Sequence, residues 1–586
     1  MYETLRSVQE HSLAAHDGID LFYRHWPAQG ARRGAILLFH RGHEHGGRMA
    51  YLADELALPD FDVFAWDARG YGRSGGPRGD APDFATSVRD VETFVQGISQ
   101  RHGIAVDEMA AVGQSVGAVL LAAWMHDYAP HLRAAVMGSP AFSIKLYVPF
   151  ARPGLALLRK LRGNFQVQSF VKPGILTHDP ARVSTYQVDP LIVRPISVNQ
   201  LLGLYETSDR VVSDASAIVV PTQIFVSGSD WVVRKEPQER FFRDLGSPVK
   251  ELHHCPGFYH DTLGERDRAP VVAKARKFIL DRFSEPLNRP DLTRSHLAGP
   301  TLDEARRIGA PLPAFSPRGL YWSFQRASIR FGSTLSDGIR LGRETGFDSG
   351  STLDYVYRDT PSGRLGIGSV IDRTYLDAIG WRGIRRRKVN LEELLRKAAQ
   401  TVSDAGLPVR IADVAAGHGR YVLDAVAALT VRPETVRLRD FSPLNVEKGR
   451  ALIAERGLQK IATFEKGDAF DPASVGSFDP APTVAIVSGL YELFPDNDMV
   501  SRSLAALAAA VPEGGLLLYT GQPWHPQLEM IARCLTSHRA GQAWVMRRRT
   551  QAEMDQLVER AGFEKLEQRI DPWGIFTVSM ARRRPS

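Results

Sequence analysis

An α/β protein of two domains, each built on a mostly parallel sheet flanked by helices, is the fold class this sequence predicts. Three observations lead there. From about residue 30 to 285, short apolar runs alternate with amphipathic stretches, the pattern of buried strands joined by surface helices. A stretch rich in Pro and polar residues then interrupts it, without a sustained apolar period. The alternation resumes near residue 388 and runs to the end, and 586 residues exceed what one hydrophobic core normally serves.

In the first half, residues 34–39 (GAILLF), 63–66, 109–112 and 223–226 read as buried strands, and residues 84–101 as a helix. Residues 286–315 read as the linker. In the second half, residues 410–414, 436–440, 462–465, 484–487 and 515–519 read as strands, with residues 316–399 as an accessory segment ahead of a core at 400–586.

Composition narrows the classes. The apolar share is 44% and the charged share 24%, both ordinary for a globular chain. Two cysteines, Cys255 and Cys534, give no disulfide framework and suit a reducing cytoplasm. The opening residues lack a basic segment followed by an apolar run, so no secretory leader is expected, and no stretch is apolar enough to span a bilayer. The net charge of +7 fits a solvated basic face or peripheral contact with an anionic membrane. Nucleic acid is not expected, because no recognised binding motif accompanies the charge.

Residues 113–117 read Gly-Gln-Ser-Val-Gly, after an apolar strand and before an Ala/Leu-rich helix. The glycines allow a sharp strand-to-helix turn that holds the Ser115 hydroxyl above the sheet edge. A serine hydroxyl needs a base, itself oriented by an acid, and in this strand–turn–helix setting they follow in the order Ser, acid, His. Asp230 sits in a tight turn after the strand at 223–226, and His260 sits in a loop before a helix. A turn aspartate and a surface histidine have ordinary structural roles, yet position and order agree for all three. The Val116 N–H would supply one donor for an oxyanion, and the loop at 39–48 the other. His43 and His45 in that loop lack a third ligand in a recognisable pattern, so no metal is expected.

The loop at 40–48, the run Asp67 to Gly79 (DARGYGRSGGPRG), and GQSVG, GSD and GFYH resemble the monoacylglycerol lipase and lysophospholipase family, in the serine aminopeptidase-like branch of α/β-hydrolases. The resemblance covers about residues 10–285. It implies an α/β-hydrolase domain at 1–285, with Ser115 as nucleophile, Asp230 as orienting acid, His260 as base, and the Gly42 and Val116 N–H groups as oxyanion hole. Arg41 departs from the family, which usually carries Gly there; it would narrow the entrance or bind an anionic head group. Residues 141–205 would form the helical cap. Its stretch 148–162 combines apolar residues with a basic cluster, which fits both a helix packed on the core and a lid resting on an acidic lipid surface.

In the second half, residues 411–420 (IADVAAGHGR) end a strand and enter a helix. Small residues at 415, 417 and 419 let a ligand approach the backbone at the helix N-terminus. Asp440, about 20 residues on, closes the next strand, where it could accept ribose hydroxyls. A dinucleotide would use a similar turn, so spacing alone leaves the ligand open. Residues 467–470 (GDAF), 488–494 (SGLYELF) and the closing pair around 561–564 and 575–579 resemble class I methyltransferases over about residues 400–586. That resemblance implies a Rossmann-like sheet and S-adenosyl-L-methionine held among Asp413, Ala415, Gly417, Gly419, Asp440, Asp468 and Ser488, with Asp468 at the adenine amino group. Ala415 stands where many members have Gly.

On the acceptor side, Tyr491, Glu492 and His525 are candidates, and residues 321–322, 346–350 and 353–357 could line an acceptor pocket. The basic run at 382–388 could grip phosphate or form a solvated helix face. The whole arrangement resembles bacterial bifunctional α/β-hydrolase/methyltransferase proteins. The two resemblances together imply hydrolysis of a carboxylic ester, monoacylglycerol or lysophospholipid-like, and methyl transfer to an acceptor that the sequence does not identify, a lipid or lipid head group being the economical shared substrate. The alternatives are an esterase or acyltransferase for small soluble esters, and a methyltransferase-like domain that only senses or scaffolds its cofactor.

Overall fold

The computed structural model describes residues 4–148, 150–287, 289–539 and 541–585. The chain divides into two compact units, residues 1–290 and 291–586.

The strands of the first unit are β1 (Gln9–Ala14), β2 (Asp20–Trp26), β3 (Gly34–Phe39), β4 (Phe61–Trp66), β5 (Met109–Gln114), β6 (Ala134–Gly138), β7 (Gln166–Gln168), β8 (Pro195–Ser197), β9 (Thr222–Ser227) and β10 (Lys250–Cys255). Eight of them form one sheet in the order β1-β2-β4-β3-β5-β6-β9-β10. β1 and β2, which the sequence reading did not single out, enter antiparallel, and the rest of the sheet is parallel. All six residues of β3, of β4 and of β5 are buried, because helices cover both faces. The helix Ala269–Ser284 seals one face, its Phe278 and Ile279 packing with Ile36, Leu38 and Val63. In register, Phe39 lies beside Gly113, Gln114 beside Gly138, and Ser227 beside Cys255, so the loops that follow open on one sheet edge.

The second unit contains β11 (Arg410–Asp413), β12 (Thr435–Asp440), β13 (Ala462–Lys466), β14 (Val484–Val487), β15 (Leu516–Gly521), β16 (Phe563–Ile570) and β17 (Thr577–Arg583), in the order β13-β12-β11-β14-β15-β17-β16. Only the β15–β17 and β16–β17 pairs are antiparallel. This is a doubly wound sheet that reverses its order between β11 and β14, where such sheets open a crevice beyond the strand ends. The long helix Ile379–Asp404 covers one face with Leu391, Leu394, Leu395, Ala398 and Val402. The opposite face packs on Val500, Leu504, Leu507 and Leu557.

Two sequence-based boundaries move. The expected linker at 286–315 is largely folded: Pro300–Gly309 is a helix with Ile308 buried, Arg547 donates to Thr301 Oγ1 at 3.1 Å, and Asn497 donates to the Thr293 carbonyl at 2.8 Å. So short a helix shows too few apolar positions to reveal a period, and much of its anchoring is polar. The accessory segment is five helices, and the last runs through residue 400 into the presumed core.

Candidate active sites

In the first unit the turn after β5 places Ser115 at φ 57° and ψ −114°, ahead of the helix Val116–Tyr128. Such a backbone is sparsely populated for a side chain with a Cβ and persists only when its surroundings enforce it. They do so by close approach: a Cβ at Gly117 would lie 2.3 Å from the Phe39 carbonyl oxygen, and one at Gly113 2.8 Å from Ala118 Cα. Ser115 Oγ lies 2.7 Å from His260 Nε2, and His260 Nδ1 lies 2.8 Å from Asp230 Oδ2. All three side chains are buried. Burial alone would raise the Asp230 carboxyl, but His260 and the Val233 and Val232 N–H groups outweigh it and hold it below the usual range. One oxygen is thus fixed by backbone donors while the other orients the imidazole.

Gln114 is a positioning residue that the motif hid. Its Nε2 donates to the His260 carbonyl at 2.8 Å, and its Oε1 lies 3.4 Å from the Leu263 N–H. The x of a GxSxG pattern carries no signal for such a role.

Gly42 and Val116 face each other across the opening, since a Cβ at Gly42 would lie 3.1 Å from Val116 Cγ2. The loop carrying Gly42 is held by ions. Arg41 Nη2 and Arg48 Nε both donate to Glu44 Oε1 at 2.6 Å, and Arg182 donates to Asp261 beside them. Arg41 also lies over the Tyr186 ring and lines the cavity at Ser115. His43 Nδ1–H donates to the Val193 carbonyl at 2.8 Å, and His45 meets Asp189 at 3.0 Å. Burial lowers His43 to about 4, so its ring is neutral.

Ser115 and His260 open into a cavity of about 500 Å³, walled mainly by apolar side chains including Ile144, Leu146, Leu158, Phe170, Leu201 and Leu204. This is the size and character of a ligand site. The cap above it includes the helix Ala151–Arg162, which has no buried residue. Leu157, Leu158 and Leu161 are exposed on it, as are Tyr147, Val148 and Phe150 before it, and Arg159, Lys160 and Arg162 sit in its last turn. The helix nonetheless rests on the helix Val198–Ser213, where Arg152 pairs with Asp209 at 2.8 Å and lies over the Tyr205 ring, so both expectations for this segment stay open.

In the second unit, a cavity of about 710 Å³ lies over the turn after β11. Ala415, Gly417, Gly419, Asp440, Asp468 and Ser488 all line it. Gly419 has φ +76°, and a Cβ there would lie 2.6 Å from Leu438 Cδ1, so the turn requires glycine. Asp440 accepts from the Gly417 N–H on one oxygen and from Ser442 N–H and Asn445 Nδ2 on the other, each at 2.9 Å. A carboxylate offers about four acceptor sites, which leaves one for a ligand hydroxyl. Asp354, from the accessory helix Gly350–Arg358, accepts from Arg420 Nε at 2.6 Å. Burial would raise Asp354, but His418 and Arg420 bring it down to about 2, and this tie holds the glycine turn against the accessory helices. A polar floor beside a helix N-terminus that no side chain caps, and a space of this size, fit an adenosine-bearing sulfonium cofactor.

Asp413 does not join this lining. It is fully buried, with Tyr421 Oη donating to Oδ2 at 2.5 Å and the Ala415 N–H to Oδ1 at 3.0 Å. It shapes the turn from behind, because its side chain leaves the last β11 position toward the interior. Burial pushes its carboxyl up from 3.8 to about 7. The unfolded chain therefore gives up this proton near pH 4 while the folded protein keeps it, so stability from this group is full below pH 4 and falls until about pH 7. Thermal melts of Asp413→Asn should lose this part of the pH dependence and show their largest gain over wild type near pH 8. Equal melting differences at pH 5 and pH 8 would refute the assignment.

Beside the cofactor cavity lies a second, apolar chamber of about 160 Å³. Glu492 and His525 line it, but Tyr491 does not: its hydroxyl donates to Ser503 at 2.8 Å within the core. Tyr491 and Glu492 are adjacent in one tight turn and point to different sides, which spacing could not settle. Phe347 and Leu353 reach the chamber, whereas Tyr321 stays exposed and Trp322 lines a separate surface hollow. The basic run at 382–388 is not one patch. Arg387 is buried in the chamber wall, Arg385 donates to the Leu376 carbonyl, and Lys388 pairs with Glu392 and Asp424. Gln522, also in the wall, was missed entirely, as nothing distinguishes a lone glutamine after a strand.

Residues 30–267 match the family described as "Serine aminopeptidase, S33", and residues 275–583 match the family described as "Putative methyltransferase". The uncharacterized protein YnbC of Escherichia coli (strain K12) is 52% identical over 584 residues, which is 99% of this chain and 100% of that protein. A monoacylglycerol lipase of Mycolicibacterium smegmatis is 26% identical over 284 residues, 47% of this chain and 98% of its own. The crystal structure of a monoacylglycerol lipase from Paleococcus ferrophilus aligns at 20% identity and a TM-score of 0.40, covering 47% of this chain and 99% of that one. Among the described residues, no helix is long and apolar enough to cross a membrane.

Proposed function

The chain belongs to the family it shares with the Escherichia coli relative, in which a lipase-like α/β-hydrolase domain precedes a methyltransferase domain, and on that premise we propose that it is a bifunctional enzyme. The first unit hydrolyses a carboxylic ester of the monoacylglycerol or lysophospholipid kind. The second transfers a methyl group from S-adenosyl-L-methionine.

The observation that carries the first activity is the unbroken Asp230–His260–Ser115 relay. Ser115 Oγ attacks the ester carbonyl as His260 Nε2 takes its proton. The Gly42 and Val116 N–H groups stabilise the oxyanion. His260 returns the proton to the departing alcohol, and a water activated by the same imidazole releases the acid. The apolar cavity of about 500 Å³ supports a substrate with an acyl chain, and lipase relatives of this half support the same class. Chain-length profiling with p-nitrophenyl esters tests it: a maximum at C8 or longer is expected, and a steady decline from acetate would favour the soluble-ester reading.

The cap supports delivery from a bilayer. The segment 147–163 contains no acidic residue, and its exposed leucines alternate with Arg and Lys, which suits the surface of an anionic membrane. The protein should co-sediment with vesicles containing phosphatidylglycerol, more weakly at high salt. Replacing Leu157 and Leu161, which lie outside the Ser115 cavity, by Ser should cut binding about tenfold or more, since each loses apolar burial, while hydrolysis of a short soluble ester persists.

In the second unit, Asp440 would hold a ribose hydroxyl and Asp468 the adenine amino group, while the backbone around Gly417 and Gly419 would admit the amino-acid end. When bound, the cofactor supplies an activated methyl group. Methyl transfer depends chiefly on alignment, and the chain's part is to hold donor and acceptor in line and to keep water out.

A further inference from the structure

The cofactor cavity and the apolar chamber share the wall residues Asp348, Leu353, Arg387, Gly489 and Leu493, so a ligand in the chamber abuts whatever fills the cavity. The chamber is aromatic, walled by Phe347, Tyr375, Trp381, Trp544 and Phe576. Its volume of about 160 Å³ is close to that of an apolar protein cavity known to take one benzene ring, roughly 150 Å³. It is too small for a long acyl chain.

Against this apolar wall stand polar atoms that the protein leaves unused. Glu492 is 8% exposed at its side chain; Oε1 accepts from Thr520 Oγ1 at 2.7 Å, and Oε2 has no hydrogen-bond partner among the described residues. Gln522 Nε2 and Arg387 Nε are likewise buried and without partners there. His525 Nδ1 accepts the Gln527 N–H at 3.0 Å, which puts the proton of its neutral ring on Nε2 as a donor. Leaving such groups unsatisfied costs stability, so their persistence in one small space points to a ligand that satisfies them. Arg387 and Glu492 already offset each other at 3.7 Å, so a charged head group would be left uncompensated. A hydroxyl meets the requirement: it donates to Glu492 Oε2 and accepts from Gln522 Nε2–H or His525 Nε2–H.

We propose that this chamber binds the methyl acceptor, and that the acceptor is a compact neutral alcohol or phenol of about one ring in size. The inference rests on reading this unit as a methyltransferase. Methylation of such a hydroxyl by a sulfonium donor forms a C–O bond, breaks an S–C bond whose electron pair stays on sulfur, and releases one proton, which Glu492 Oε2 takes. Glu492 is thereby a catalytic residue, and Gln522 and His525 hold the oxygen.

The test is calorimetric titration of the full chain, saturated with S-adenosylhomocysteine, with p-cresol and with toluene. The wild type should bind p-cresol at least tenfold more tightly than toluene, the effect of a hydrogen bond to a charged acceptor. Glu492→Gln, which converts the acceptor to an amide, and Ala378→Leu, which fills the chamber, should each weaken p-cresol about tenfold or more, with S-adenosylhomocysteine affinity unchanged. If S-adenosylhomocysteine binds but toluene matches p-cresol, or neither variant weakens p-cresol, the chamber assignment falls and the methyltransferase reading stands. If S-adenosylhomocysteine does not bind the wild type, both fall.

Discussion

Replacing Ser115 by alanine should lower ester hydrolysis on the order of 10⁶-fold in kcat, the loss that follows removal of a triad nucleophile. The change removes one oxygen and leaves the elbow intact, because alanine tolerates the φ of 57° as well as serine does. The effect is therefore chemical. A fluorophosphonate probe should label the wild type on the peptide carrying Ser115, and labelling should vanish in the variant. His260→Ala should be nearly as severe, and the double variant should cost little more than either alone, since nucleophile and base act as one unit. Labelling that survives in Ser115→Ala would move the nucleophile elsewhere. Absent labelling of a folded wild type would mean that the ion-held loop at Arg41 closes the entrance.

Asp440→Ala should weaken S-adenosylhomocysteine binding about 100-fold or more while leaving ester hydrolysis unchanged. Asp440 loses two things at once: its contact to the ligand, and its support of the turn through the Gly417 N–H. Charge-assisted hydrogen bonds contribute roughly 1.5–3 kcal/mol each, so losing the one to a ribose hydroxyl together with the support of the turn accounts for about two orders of magnitude. Asp440→Asn keeps one acceptor oxygen and should fall between the two. Calorimetry gives the affinities, and a soluble-ester assay on the same samples reports whether the first unit is intact. Undiminished affinity in Asp440→Ala would remove this carboxylate from the cofactor site.

Local signals made much of the molecule legible. The strand–glycine–serine–glycine–helix turn is set by backbone geometry within a few residues, and the order of Ser115, Asp230 and His260 along the chain matches their meeting in space. The glycine turn at 417–419 and Asp440 were readable for the same reason, each fixed by its own strand end. Side-chain direction was not readable. Asp413 ends a strand beside a ligand turn yet points into the core, and Tyr491 and Glu492 part company across one peptide. The stretch around Pro300 looked like a tether because its anchoring comes from Arg547 and Asn497, some 200 residues away.

The sequence by itself determined two doubly layered α/β units, the turns that carry their reactive edges, and the residues at those turns, because strand and helix periods and glycine geometry act over short range. Only the tertiary structure decided that Gln114 steadies the histidine loop, that the cap helix leaves its leucines uncovered, and that Arg387, Glu492, Gln522 and His525 ring one apolar chamber. Those four come from three separate segments of the chain. Their meeting depends on helix packing and on the parallel pairing of β14 with β15, and no spacing along the chain encodes it.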